Sequence, residues 1–211
     1  MITGYLLLTL SLADIKMSVG KLFAPDQFCS AILVKGNGSS ELAITPAHCL
    51  SKAIKYQGME GAEFFQTVQL HFTSKAGTVA RKAKILHYNN SKDLALLKLF
   101  SPINKNEIPG IKINELNKYD NLTEMAFGYV YGGASRSLSG CKTITNHKFS
   151  TIGNLRAENC NVEGGMSGGG YFGFDGETYR FMGMLVSKGT PNAHVAYYVP
   201  SPYILKNTPL K

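Results

Sequence analysis

Long hydrophobic runs, metal-ligand spacings and blocks of like charge are all missing from this chain of 211 residues, and each absence removes a class of function. No segment reaches the roughly 20 consecutive apolar residues that a membrane-spanning helix requires, so no stable membrane insertion is expected. The four cysteines show no Cys-x-x-Cys or cysteine/histidine pattern of zinc spacing, and no metal or other cofactor is expected. Net charge is +8, yet the lysines stand singly between polar residues. Nucleic-acid binding calls for a clustered basic face or a motif, so these lysines read as a solvated surface with some attraction for acidic partners.

The chain is 44% hydrophobic and 17% charged, the balance of a globular protein that buries a core. Glycines and tyrosines interleave with short apolar runs, which predicts an all-β chain with many turns. At the start, Tyr5 to Leu12 is an apolar run of signal-peptide length, and Ser11-Leu12-Ala13 supplies small residues of the kind a signal peptidase reads. Residues 1–13 are therefore expected to be a signal peptide, with a core-facing strand as the alternative. The destination would be secreted or periplasmic, where four cysteines form two disulfides. Three pairings are open; the spacing favours Cys29 with Cys49 and Cys141 with Cys160, each closing a short loop.

The stretch Asn159 to Gly170 holds a single serine, Ser167, among five glycines. Glycine lets a backbone bend sharply and turn its N–H groups toward one point. A serine hydroxyl there would be a nucleophile facing preset donors, with the amides of Gly165 and Ser167 as an oxyanion hole. A flexible Gly-Ser loop is the plainer alternative. A serine is a weak nucleophile unless a base takes its proton, so a histidine and a carboxylate must come from elsewhere in the chain. His48 follows the predicted hairpin Phe28–Val34 and Glu41–Thr45, next to Cys49, which can anchor it to the preceding strand. Asp93 opens the almost wholly apolar run Leu94–Leu99. A carboxylate at such a place is costly unless hydrogen-bonded, and a histidine N–H is a natural partner; a turn aspartate is the alternative. None of the other four histidines has comparable neighbours.

In the order His48, Asp93, Ser167, three boxes resemble those of the chymotrypsin-like, trypsin-fold serine proteases. Thr45-Pro46-Ala47-His48-Cys49 is similar to the family's TAAHC box, Asp93-Leu94-Ala95-Leu96-Leu97 to its DIALL box, and Gly165-Met166-Ser167-Gly168-Gly169 to its GDSGG box. The resemblance covers about 19–205 and implies an all-β fold of two packed antiparallel β-barrels with the active site in the cleft between them. The expected units are an N-terminal barrel at 17–106 with His48 and Asp93, a C-terminal barrel at 115–200 with Ser167, and a tail at 201–211. Hydrogen bonds would run from acid through imidazole to hydroxyl. Met166 stands where animal trypsins carry an aspartate that binds the new N-terminus after zymogen cleavage, so activation by that route is not expected. In this the chain resembles compact secreted bacterial members such as the glutamyl endopeptidase-like group.

The same resemblance places Asn161 at the floor of the primary pocket. It makes the run Gly183 to Gly189 the strand that pairs with substrate backbone, with Ser187 near Asp93, and sets His194 at the pocket wall. What it implies is a monomeric secreted serine endopeptidase acting on protein or peptide substrates through an acyl-enzyme on Ser167. Two other readings stand beside it. One is a non-catalytic pseudoprotease or binding module on the same fold. The other is a lipase- or esterase-type hydrolase, because Gly165 to Gly169 also fits G-x-S-x-G, although too little chain follows for the acid and histidine of that fold.

Overall fold

The structure, a computed structural model, describes residues 10–55, 67–114, 121–149, 154–188 and 194–210. The first barrel comprises β1 (Val19–Ala24), β2 (Gln27–Val34), β3 (Ser39–Thr45), β4 (Thr67–Ser74), β5 (Gly77–Asn89) and β6 (Leu94–Asn104). The second comprises β7 (Thr123–Tyr129), β8 (Ser135–Phe149), β9 (Asn154–Glu158), β10 (Gly170–Phe174), β11 (Tyr179–Lys188) and β12 (Val195–Pro200). Both are closed and antiparallel, with strand orders 1-2-3-6-5-4 and 7-8-9-12-11-10, so the second repeats the path of the first. This is the two-barrel, all-β architecture that the three boxes imply. Closure pairs every strand on both sides and leaves no sheet edge for aggregation.

Side-chain alternation explains why the strands read as they do. In β4, Val68, Leu70 and Phe72 point into the barrel while Gln69 and Thr73 face solvent, the period of two expected of a half-buried strand. The run Leu94–Leu99 in β6 is apolar but for Lys98 because both of its faces are covered. Ala95, Leu97 and Leu99 join the interior of the first barrel, whereas Leu94 and Leu96 join the core between the barrels. That shared core also takes Ile32 and Ile44 from the first barrel and Phe127, Phe172, Met184 and Val199 from the second.

Two short helices close over it. α1 (Leu12–Ser18) begins in a capping box in which Ser11 and Asp14 satisfy each other's backbone N–H groups, and it buries Ile15 completely. Just before it, Leu10 bridges to Tyr179 at the start of β11, so residues 10–18 touch both barrels; cutting after Ala13 would remove both the bridge and the cap. At the other end the expected tail starts with a helix, α3 (Ser201–Asn207). Pro202 sits in its first turn, where a missing N–H costs nothing, and Ile204 is buried in the shared core.

Both expected disulfides are present, Cys29–Cys49 and Cys141–Cys160. The interior of the second barrel also holds a buried carboxylate, Glu124. It accepts hydrogen bonds from the Tyr171 hydroxyl, from the Thr143 N–H at 2.5 Å and from the Thr143 hydroxyl at 2.8 Å. Thr143 also meets the Tyr198 hydroxyl, and Tyr198 stacks on Tyr171 at 4.4 Å, so one acid ties together β7, β8, β10 and β12. Burial, and after it the hydrogen bond to Glu124, pushes the Tyr171 phenol far above its ordinary pKa.

A polar clamp joins the barrels. Ser30, fully buried in β2, donates its N–H to the Ser167 carbonyl at 2.7 Å and its hydroxyl to the Gly165 carbonyl at 3.0 Å. The same hydroxyl accepts from the Tyr129 N–H at 2.9 Å, and the Ser30 carbonyl accepts from the Thr45 hydroxyl at 3.0 Å. The approach is so close that a Cβ added to Gly168, whose φ is +87°, would lie 1.9 Å from the Ser30 oxygen.

Two outcomes are expected. Ser30→Ala leaves a buried carbonyl and a buried N–H without their partner, and urea unfolding will show a loss of about 2 kcal/mol; Gly168→Ala will cost more, roughly 4 kcal/mol or beyond, because backbone and φ both oppose it. Replacing Cys29 and Cys49 together by alanine will lower stability by about 3 kcal/mol, the loop-closure value for a loop of this length, read by the same titration.

Candidate active site

His48 is positioned by a turn and a crosslink. After β3, Pro46 leads into a single 3-10 turn, Ala47–Leu50, continued by helix α2 (Ser51–Lys55). The Cys29–Cys49 disulfide fastens the residue after His48 to β2, and the Gln27 amide donates to the His48 carbonyl at 3.1 Å. The ring therefore hangs from a backbone held on three sides, with its side chain 45% exposed.

Asp93 ends another 3-10 turn, Asn90–Lys92, and enters β6 in the left-handed conformation, φ +48° and ψ +48°. Aspartate tolerates that region better than a bulky residue, and the turn aims its carboxylate back at His48. Its Oδ2 lies 2.9 Å from His48 Nδ1, and its Oδ1 accepts the His48 backbone N–H at 3.0 Å. Two bonds fix both the ring and its backbone. They make Nδ1 the protonated nitrogen and leave Nε2 free to accept a proton. Burial, and after it the charge of the same carboxylate, holds the Tyr88 phenol above its usual range.

Ser167 comes from the loop between β9 and β10. Gly165 in this loop has φ +95°, and a Cβ there would meet the Tyr129 carbonyl at 2.8 Å and the Tyr131 nitrogen at 2.9 Å, so only glycine fits. Among the described residues, neither the Gly165 nor the Ser167 N–H has a hydrogen-bond partner. Met166 points the other way, 1% exposed among Val162, Tyr171 and Leu185 in the second barrel. The Ser167 hydroxyl donates to the Val186 carbonyl at 3.1 Å.

His48, Asp93, Gly165 and Ser167 open on one cavity of about 410 Å³, walled also by Phe28, Tyr131, Glu163 and Val186. The structure thus brings the expected acid, imidazole, hydroxyl and amides to one place and makes the acid-imidazole bond. The imidazole-hydroxyl bond is not made among the described residues, because Ser167 is turned to Val186. Asn161 and His194 are both exposed and do not line this cavity; the His194 carbonyl instead accepts the Cys160 N–H at 3.0 Å. Ser187 pairs with Tyr197 in the sheet and Val186 borders the cavity beside Asp93, while the Ser187 side chain and Gly189 lie outside the described residues.

Sequence reasoning missed Ser30, Glu163 and the aromatic wall. The signal for Ser30 was a lone hydroxyl in the otherwise apolar Ala31–Val34 strand beside Cys29. Glu163 is held to Arg136 at 2.7 Å, a pairing no spacing could announce. Cys29, Cys49 and His48 carry donor atoms within 4.8 Å of one another, but both sulfurs are taken up in the disulfide and offer no thiolate to a metal.

Comparison with solved structures agrees with this architecture. The chain is similar to the MamO protease domain from Magnetospirillum magneticum, with 16% identity, TM-score 0.65 and coverage of 92% of this chain and 97% of that one. It is similar to Deg5 at 16% identity and TM-score 0.66, covering 92% and 88% of the two chains. It is also similar to AL20, a thermostable serine protease from an extremophilic microorganism, at 19% identity, TM-score 0.66 and 92% and 96% coverage. No curated protein sequence matches significantly. The family model described as trypsin-like peptidase domain matches residues 29–184, most of the chain and all three boxes, and the protein belongs to that family.

Proposed function

We propose that this protein is a secreted serine endopeptidase that cleaves peptide bonds through an acyl-enzyme on Ser167. The observation that carries the reading is the meeting of the Asp93–His48 pair and the Ser167 loop in one cavity. In the reaction the Ser167 hydroxyl turns from the Val186 carbonyl toward His48 Nε2, a rotation about one side-chain bond. As its oxygen attacks the scissile carbonyl, His48 takes the proton and Asp93 stabilises the imidazolium that forms. The negative charge on the carbonyl oxygen is met by the Gly165 and Ser167 N–H groups, a contribution of about 3 kcal/mol per donor. His48 then returns the proton to the leaving amine, and water repeats the sequence to release the acyl group.

Export is supported by the apolar run Tyr5 to Leu12 and by the two disulfides, which persist in oxidising compartments. Among the described residues no helix is long and apolar enough to cross a membrane. One observation favours a second reading, a non-catalytic binding module: the serine hydroxyl is bonded to a main-chain carbonyl and not to the imidazole.

A fluorophosphonate probe separates the two. The peptidase reacts at Ser167 and the Ser167→Ala variant does not, with casein turnover lost in parallel; equal labelling or equal turnover by the two proteins overturns the proposal. Asp93→Asn retains the fold but presents the wrong tautomer at Nε2, and kcat with a peptide substrate will fall by about 10⁴-fold.

A further inference from the structure

Phe23 and Tyr131 are two of only four large hydrophobic side chains left exposed among the described residues, at 38% and 68%. They are the ends of one continuous aromatic surface. Tyr131 in the wall of the catalytic cavity lies 6.1 Å, centroid to centroid, from Phe28 in the same wall. Phe28 meets Phe23 edge to face at 5.3 Å, as directly opposed partners on β1 and β2. Phe23 meets His71 of β4 at 4.8 Å. Phe23 and His71 then form part of a second cavity, of about 420 Å³, together with Pro25, Gln69 and the exposed Lys82.

The placement follows from the sheet. Leu22 and Leu70 are buried inside the first barrel, so their neighbours Phe23, Gln69 and His71 project from its outer face. Lys82 stands opposite Gln69 on β5 and supplies a cation at the edge of the cavity. Gly164 keeps the near end in place, because any Cβ there would strike the Tyr131 ring at 2.4 Å.

We propose that this aromatic track is an extended subsite that binds the part of a polypeptide substrate lying beyond the cleaved bond. The proposal rests on the peptidase reading of the catalytic cavity and adds a substrate class to it. Three successive ring contacts match the reach of about four or five residues of extended chain, at ~3.3 Å each. Side chains on one face of such a chain come from alternate positions, so the preferred segment carries aromatic or large aliphatic residues at every second position. A carboxylate at its far end faces Lys82. The track leaves the cavity at Phe28 and Tyr131 and not at Val186, whose strand is the one expected to pair with substrate backbone.

The test uses the Ser167→Ala protein, which binds without cleaving, and a fluorescein-labelled decapeptide. Beyond its central bond the peptide carries Phe and Leu at alternate positions, then Asp; a control has alanine in place of Phe and Leu. Fluorescence anisotropy should show the first peptide binding about tenfold more tightly than the control. Adding Phe23→Ala should remove that advantage, and adding Lys82→Glu should weaken the Asp peptide more than its Asn counterpart. Thermal unfolding of each variant verifies that the fold is retained. Equal affinity for the two peptides, or an advantage that survives Phe23→Ala, overturns the subsite. Binding to the Ser167→Ala protein decides this whatever the fluorophosphonate result, so failure of the subsite and failure of the peptidase reading are told apart.

Discussion

The groups in the catalytic cavity are divided between two barrels, and the Ser30 clamp is the constraint that makes them one site. His48 and Asp93 belong to the first barrel; Gly165 and Ser167 belong to the second. Apolar packing between barrels is strong but tolerant of sliding, because contact area has no direction. Ser30 adds direction. Its N–H and hydroxyl reach the carbonyls of Ser167 and Gly165, the two residues whose N–H groups are proposed to receive the oxyanion. In a dry interface such bonds are stronger than in water, and losing one strands a buried partner. Registration within a fraction of an ångström is what carbonyl attack and proton transfer demand.

Around the clamp, the chain uses rigid pieces where chemistry needs placement. A proline, a short 3-10 turn and a disulfide hold His48; a left-handed aspartate at the mouth of a strand with two buried faces holds Asp93. The second barrel carries its own internal brace in Glu124, whose carboxylate joins four strands directly behind the loop that bears Ser167. Met166 turns the adjoining residue of that loop into a hydrophobic plug, which anchors it by packing where an ion pair would otherwise serve.

What could be read from the sequence was whatever has a local cause. The apolar run after Asp93, the turn chemistry around His48 and the glycines flanking Ser167 each report a backbone requirement within a few residues. Together with their order they carried the two-barrel fold and the residues now seen around the cavity. The cysteine pairs were legible because each closes a loop of similar, short length. Ser30, Glu124 and Glu163 were not legible, because their partners lie 15 to 137 residues of chain away, across strands whose register only the folded barrel defines. Which side chains form a primary pocket is less legible for a related reason: Asn161 and His194 follow from the resemblance between boxes, but the faces that line a cavity depend on the loops between strands. Val186 borders the cavity.

The bridge between Leu10 and Tyr179 has a bearing on how the protein is made. Synthesis proceeds from the N-terminus, so Leu10, just ahead of α1, emerges long before its bridge partner in the last third of the polypeptide. The first barrel can close its own hydrogen-bonded circuit on the ribosome or at a translocation pore, and α1 can settle on it, but the Leu10 bridge has no partner until the β10–β11 hairpin arrives. Pairing of Leu10 is therefore one of the last events in maturation, and a nascent chain halted before Tyr179 would carry that residue unpaired.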